Sequence, residues 1–106
     1  VQFPGQMFPM HIDKLQHRYP QDPGKLLRVI IHLSDYEPGQ MFQYGSIVHT
    51  KWRAGDIHAF DTNNVPHFTC NASRSPRHIF VSTGVRTPET DEILSASNST
   101  TLHNLK

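Results

Sequence analysis

Short apolar or alternating runs of residues, separated by turn-forming residues, make up most of this chain, and no long segment has the period of a helix. The separating segments, such as "EPG" at 37–39 and "AGD" at 54–56, carry the turn chemistry of Pro, Gly, Asn and Asp. The pattern predicts seven strands, at about 7–13, 26–34, 40–44, 46–52, 56–60, 66–70 and 77–85. Seven short strands at this spacing are typical of an all-β sandwich or barrel.

The end of the chain differs in composition from the rest. Residues 86–106 are rich in Ser, Thr, Asn and acidic side chains and hold few apolar positions. We therefore expect one β domain over 1–85 and a partly ordered extension over 86–106, irregular or with a short helix at 89–97. The length of 106 residues leaves room for a single core.

Charge and cysteine content narrow the classes of function. The formal net charge is +1 and 18% of the residues are charged, without the basic stripe of a nucleic-acid-binding protein, so nucleic acid is an unlikely partner. No segment approaches the roughly 18 apolar residues of a membrane helix. The lone cysteine, Cys70, cannot form an internal disulfide, and the sequence begins without a signal peptide. These features predict a soluble, cytoplasmic protein.

A histidine and an aspartate two residues apart are the first candidates for chemistry. His11 and Asp13, in "MFPMHID", would point to the same side of a strand, because side chains at i and i+2 share a face. His67, in "VPH", is the best placed third ligand, since Pro66 holds the backbone there extended. Two imidazoles and one carboxylate on one face leave other positions of an octahedral metal open, an arrangement suited to non-haem iron(II).

A charged residue shares a strand face with apolar residues farther along the chain. Arg77 opens the run "RHIFVSTGV" ten residues after His67 and shares a face with Ile79, Val81 and Thr83. An unpaired buried charge is costly, so a negative partner is required if this face is internal. That partner could be the carboxylate of a ligand, held by the two-pronged guanidinium group.

Together these motifs resemble the iron(II) and 2-oxoglutarate-dependent dioxygenases. The resemblance runs from about Met7 to Val85 and rests on the order and spacing of the four residues His11, Asp13, His67 and Arg77. The "GD" turn within "KWRAGDIHAFD" and the "VPH" motif add to it. It implies a cupin-like jelly roll, the double-stranded β-helix, for the core of the chain.

The resemblance also implies roles for single residues. His11, Asp13 and His67 would be the catalytic residues that hold Fe(II), and Arg77 would bind the distal carboxylate of 2-oxoglutarate. The implied reaction decarboxylates this cosubstrate to succinate and commonly hydroxylates a prime substrate, here a small molecule or a protein or peptide side chain. Because Asp13 is present, the chain differs from the related halogenases, in which a small residue replaces this carboxylate.

The chain departs from the family in two respects. Many members carry Ser or Thr two residues after the arginine, but Ile79 stands there, so we expect a hydroxyl from Tyr44, Ser46 or Thr83 to contact the cosubstrate instead. Members usually have helices and a strand before the His-x-Asp motif, whereas ten residues precede His11. We expect either a fragment or a minimal core, and open sheet edges would favour a homodimer.

The remaining histidines and two other functions stay open. His32 shares a strand face with Arg28, and which face is internal cannot be read from alternation. His49 and His58 are equally undecided, and Arg28 is expected at an exposed position.

One alternative function is a cupin-like metal protein without 2-oxoglutarate, in which Arg77 has no functional role. The other is a non-catalytic β-sandwich binding module, in which the three candidate ligands do not converge.

Overall fold

The computed structural model describes residues 1–15 and 17–96 of the chain. They form seven strands, which are β1 (Met7–His11), β2 (Leu26–His32), β3 (Gln40–Tyr44), β4 (Ile47–His49), β5 (Ile57–Phe60), β6 (His67–Asn71) and β7 (Ile79–Val85). A 3-10 turn (Pro23–Lys25) precedes β2, and one α-helix, α1 (Pro88–Ala96), follows β7. The mainly β class is therefore confirmed.

All seven predicted strands are present, with differences at their ends. The first strand stops at His11 and not at residue 13, and β4 is shorter than the predicted span of 46–52. The helix predicted at 89–97 is α1, while residues 97–106 of the predicted extension lie outside the described residues. Among the described residues, no helix has the length and apolar character needed to cross a membrane.

The strands form two antiparallel sheets. One sheet has the order β1-β6-β3-β4, and the other has the order β5-β2-β7. Just before β7, Arg77 makes an isolated antiparallel bridge with Gln2, ahead of β1. Two antiparallel sheets with a shared interior are compatible with an all-β sandwich.

The core between the sheets is unusually polar. Its buried apolar cluster comprises Ile30, Phe42, Tyr44, Trp52 and Phe60. His32 and Arg77 are buried with them, at 0% and 1% exposure. Ile30 and His32 are both buried, so the face of β2 that carries Arg28, Ile30 and His32 is the internal one. This answers which face of β2 points into the core.

Candidate metal centre and buried arginine

A one-residue bulge in β1 brings the first candidate ligand opposite the third. Phe8 pairs with Thr69 of β6, but the next aligned pair is His11 with His67, so β1 holds one more residue than β6 between these pairs. Without the extra residue, Met10 and not His11 would face His67. The bulge thus sets which side chain reaches the site.

The three predicted ligands lie together. Nε2 of His67 is 3.3 Å from Oδ1 of Asp13, and Nε2 of His11 is 3.4 Å from the same oxygen. One ligand atom from each residue lies within 4.8 Å of the other two. Metal–ligand bonds of about 2.0–2.2 Å place neighbouring ligand atoms about 3 Å apart, so the three residues could hold one ion.

The hydrogen bonds of the two imidazoles set their tautomers. Nδ1 of His11 is 2.6 Å from the carbonyl oxygen of Pro9, and Nδ1 of His67 is 2.8 Å from that of Val65. A carbonyl oxygen only accepts, so each Nδ1 donates, and in the neutral ring Nε2 keeps a lone pair. Both lone pairs then face Oδ1 of Asp13, which is itself an acceptor. A cation between them, either a proton or a metal ion, removes this conflict.

Arg28 orients the carboxylate from its other oxygen. Nη1 of Arg28 donates to Oδ2 of Asp13 at 2.8 Å, while Nε of the same guanidinium donates to Oγ1 of Thr83 at 3.0 Å. Oδ1 is left to face the two histidines. The expectation of an exposed Arg28 was wrong, since its side chain is only 20% exposed. The sequence signal that could have found it is its place beside Ile30 and His32 on one strand face.

Two of the three candidate ligands have nearly buried side chains, and the third is exposed to solvent. The side chains of Asp13 and His67 are each 9% exposed, whereas that of His11 is 43% exposed. Phe60 packs its ring edge against His67, with 5.2 Å between the ring centroids. A substrate would therefore approach from the side of His11.

Arg77 is buried in the core, at 1% exposure, and among the described residues it has no carboxylate partner. Its guanidinium carbon lies 5.3 Å from the ring centre of Trp52 and 5.5 Å from that of Phe42. Nη1 has a long contact of 3.5 Å to Oε1 of Gln2, and within the described part of the chain Nε and Nη2 have no hydrogen-bond partner. Burial lowers the pKa of Arg77 to about 10, offset in part by Cys70. The guanidinium remains charged at neutral pH.

The three candidate hydroxyls occupy different places. Tyr44 is buried and stacks on Phe60, and its hydroxyl is 3.0 Å from Nδ1 of His58. Oγ1 of Thr83 accepts from Nε of Arg28, which also binds Asp13, so Thr83 lies near the three candidate ligands. Ser46 is exposed. Of the three, Tyr44 reaches deepest into the core, and it also pairs in register with His67.

Three histidines that the sequence left undecided surround Phe42 in the core. Their ring centroids lie 6.0, 6.0 and 5.3 Å from that of Phe42, for His32, His49 and His58 respectively. Burial lowers the pKa of His32 to about 3, with His58 and Arg77 adding to the effect, and burial with His49 lowers the pKa of His58 to about 4. Burial also lowers the pKa of His49. All three are neutral at pH 7, so Arg77 supplies the local charge.

Comparisons of the chain with protein-family models, with curated proteins and with solved structures found no match.

Proposed function

We propose that this protein is a non-haem iron(II) and 2-oxoglutarate-dependent dioxygenase that hydroxylates a small molecule or a protein or peptide side chain. The observation that carries the proposal is the convergence of His11, Asp13 and His67 with both imidazole lone pairs turned toward one carboxylate oxygen. Two imidazole nitrogens and one carboxylate oxygen are the donor set of a facial iron(II) site. Bound there with 2-oxoglutarate, the iron supplies the oxygen chemistry that side chains lack.

The neighbours of the three ligands fit this role. Carbonyl groups fix the two imidazoles through Nδ1, and Arg28 fixes the carboxylate through Oδ2. Such outer partners hold metal ligands in the correct orientation before the ion binds. One carboxylate oxygen is already engaged, so Asp13 would contribute a single oxygen and leave positions for a cosubstrate.

The buried arginine supports the choice of cosubstrate. Nε and Nη2 of Arg77 point the same way and form one two-pronged face of the guanidinium, and both lack a hydrogen-bond partner among residues 1–15 and 17–96. A carboxylate is the ligand that matches this face in charge and in geometry. The proposed partner is the distal carboxylate of 2-oxoglutarate.

The pairing of the strands supports a jelly roll. β3 and β4 form a hairpin, β2 pairs with β5, and β1 pairs with β6. Strands equally far from the β3–β4 turn are thus partners, and successive pairs alternate between the two sheets. A long hairpin folded over in this manner is the path of a double-stranded β-helix. The bridge between Gln2 and Arg77 continues the series, because it joins the segment before β1 to the start of β7.

The proposal also covers substrate class, oligomeric state and location. The resemblance favours a small molecule or a peptide side chain, and open sheet edges favour a homodimer. An intracellular location is proposed because the lone Cys70 forms no internal disulfide.

The test is an anaerobic titration of the iron(II)-loaded protein with 2-oxoglutarate, in which the weak visible metal-to-ligand charge-transfer band is followed. We expect a saturable band that is absent in His67→Ala and needs at least tenfold more 2-oxoglutarate in Arg77→Met. His78→Ala and Arg74→Met are the matched controls, because both side chains are exposed. Iron binding without a band would favour a cupin-like metal protein, and no iron binding would favour a β-sandwich binding module.

A further inference from the structure

Six buried side-chain nitrogens in the core have no hydrogen-bond partner among the described residues. They are Nδ1 and Nε2 of His32, Nε2 of His49, Nε1 of Trp52, and Nε and Nη2 of Arg77. The indole and guanidinium nitrogens can only donate, and a neutral imidazole has one N–H. A buried donor left unpaired costs about 1–3 kcal/mol, so the chemistry of this cluster favours a partner rich in acceptors.

His32, Trp52 and Arg77 lie close enough to share one ligand. His32 pairs in register with Ile79, and Arg77 is two residues before Ile79 on the same face, which makes His32 and Arg77 diagonal neighbours across two strands. His32 stacks on Trp52 with 4.4 Å between ring centroids, and Arg77 lies against the same indole. All three therefore meet at one place in the core.

Among the described residues, no carboxylate is buried in this cluster, although Cys70 acts on Arg77 and raises its pKa. The charged or titratable groups that act on His32 are His58, Arg77, Asp56 and His49, and of these only Asp56 is acidic. Asp56 is exposed, and its carboxylate accepts from the backbone N–H of Arg53. The cluster thus presents one positive charge and several N–H groups, which is the chemistry of an anion site.

The number of donors fits one carboxylate. Its two oxygens offer about four lone-pair sites. Arg77 supplies two N–H groups, Trp52 supplies one and neutral His32 supplies one, which makes about four donors. Ile79 has no hydroxyl to give, and the hydroxyl of Tyr44 is already 3.0 Å from His58.

We propose that His32 and Trp52 bind, together with Arg77, the distal carboxylate of a dicarboxylate such as 2-oxoglutarate, and that their N–H groups replace the hydroxyl that position 79 lacks. His32 and Trp52 then determine specificity for a second carboxylate. The identity of the dicarboxylate rests on the proposed function, whereas carboxylate binding by the cluster requires no metal.

The chain contains a single tryptophan, Trp52, so its fluorescence reports directly on the cluster. Metal-free protein in chelator is titrated with glutarate, which has both carboxylates but no keto group to bind a metal. We expect a saturable change in Trp52 emission, which disappears in Arg77→Met. Pentanoate, which has the same chain length and one carboxylate, should bind at least tenfold more weakly.

Two variants of similar size separate hydrogen bonding from packing at His32. His32→Asn keeps an N–H donor, and His32→Leu removes it. One hydrogen bond to a charged group is worth about 1.5–3 kcal/mol, so His32→Leu should weaken glutarate binding about 10- to 100-fold, with His32→Asn substantially closer to the parent. Trp52→Phe, followed by calorimetry, should weaken it about tenfold. In the iron-loaded protein, 2-oxohexanoate lacks the distal carboxylate and should bind equally to both His32 variants.

The outcomes distinguish this inference from the proposed function. If 2-oxoglutarate binds the iron-loaded protein and needs Arg77, but His32→Leu and Trp52→Phe bind it unchanged, the inference is overturned and the proposed function stands. If glutarate binding depends on His32 while the iron charge-transfer band is absent, the carboxylate site stands and the dioxygenase proposal fails. If no carboxylate binds with or without iron, both are overturned.

Discussion

Arg28 donates from Nη1 to Oδ2 of Asp13 at 2.8 Å, while Oδ1 of the same carboxylate faces His11 and His67. In the metal-free protein Arg28 is the cationic partner of Asp13, whose side chain is only 9% exposed. Charge-assisted hydrogen bonds are the strong ones, and half-buried charges are expensive to leave unpaired. The pair therefore holds the centre together before any ion binds.

We predict that Arg28→Met destabilises the metal-free protein by about 1.5–3 kcal/mol, the range for a hydrogen bond to a charged group. Methionine keeps the apolar stem, so the loss reports on the guanidinium and not on packing. Urea unfolding in chelator measures the effect, with Arg53→Met as the exposed control. Equal unfolding midpoints for Arg28→Met and the parent would mean that Asp13 does not need this partner.

For Arg77 we expect the opposite effect of a methionine substitution on stability. Taking a charge out of water costs several kcal/mol, and each unpaired N–H of Arg77 adds about 1–3 kcal/mol to that cost. The two aromatic contacts of Arg77, with Trp52 and Phe42, return about 2 kcal/mol each in a desolvated site. We predict that Arg77→Met unfolds at a urea concentration equal to or above that of the parent, while binding of glutarate is lost. Arg74→Met, at an exposed position, should change neither property.

A large loss of stability in Arg77→Met would contradict this view. It would mean that the charge of Arg77 is compensated in the ligand-free protein. Nε and Nη2 of Arg77 would then not be the atoms that bind a carboxylate ligand. Measuring unfolding with and without saturating glutarate separates the two cases, because a ligand that binds only the folded state raises its stability.

The strands could be read from the sequence because they depend on local patterns, and alternation and turn residues located all seven. The argument for Asp13 assumed that it lies on the strand of His11, but β1 ends at His11, and Asp13 joins the group from the segment after the strand. The bulge in β1 could not be read, since the extra residue leaves no mark in a period-two pattern. It decides that His11, and not Met10, faces His67.

The polar core could not be predicted for a different reason. The alternation of β2 gives two faces, Val29 and Ile31 on one and Ile30 and His32 on the other, and both are partly apolar. Only the packing of the second sheet selects the internal face. A histidine is rarely chosen as a core residue from sequence, so the cluster around Phe42 emerges only from tertiary contacts.

Gly39 offers a test of the turn that leads into β3. Its φ is +100°, and an added Cβ would lie 2.9 Å from backbone atoms of Ala72 and Ser73. Gly5 has a φ of +87°, but nothing lies within 4 Å of an added Cβ. We predict a loss of about 1–2 kcal/mol for Gly5→Ala from φ strain alone, and roughly 3 kcal/mol or more for Gly39→Ala.

Urea unfolding of the two alanine variants is the measurement, and Gly5→Ala is the matched control. Similar losses in both would show that the loop of Ala72 and Ser73 moves away at little cost. The larger loss at Gly39 is expected because its carbonyl oxygen also accepts from the N–H of Ala72 at 2.9 Å, which ties the two segments together.

The buried histidines make stability depend on pH. The pKa values of His32 and His58 are lowered to about 3 and about 4, mainly by burial, from a value of 6.5 in the unfolded chain. Above pH 6.5 both imidazoles are neutral in the folded and in the unfolded protein, so proton uptake does not lower the free energy of unfolding there. As pH falls from 6.5 toward 4, the unfolded chain takes up protons that the folded protein does not, so the free energy of unfolding decreases.

Each histidine contributes a limiting slope of about 1.4 kcal/mol per pH unit, and the two together about 2.7. We predict that the free energy of unfolding, from urea titrations in chelator, falls between pH 6.5 and pH 4, and that His32→Asn reduces the slope by up to about 1.4 kcal/mol per pH unit. His78→Gln, at an exposed position, should leave it unchanged. Since bound carboxylate places a negative charge beside His32, saturating glutarate should flatten the curve in the parent more than in His32→Leu. An identical pH dependence in the parent and in His32→Asn would show that His32 is already solvated or protonated in the folded protein.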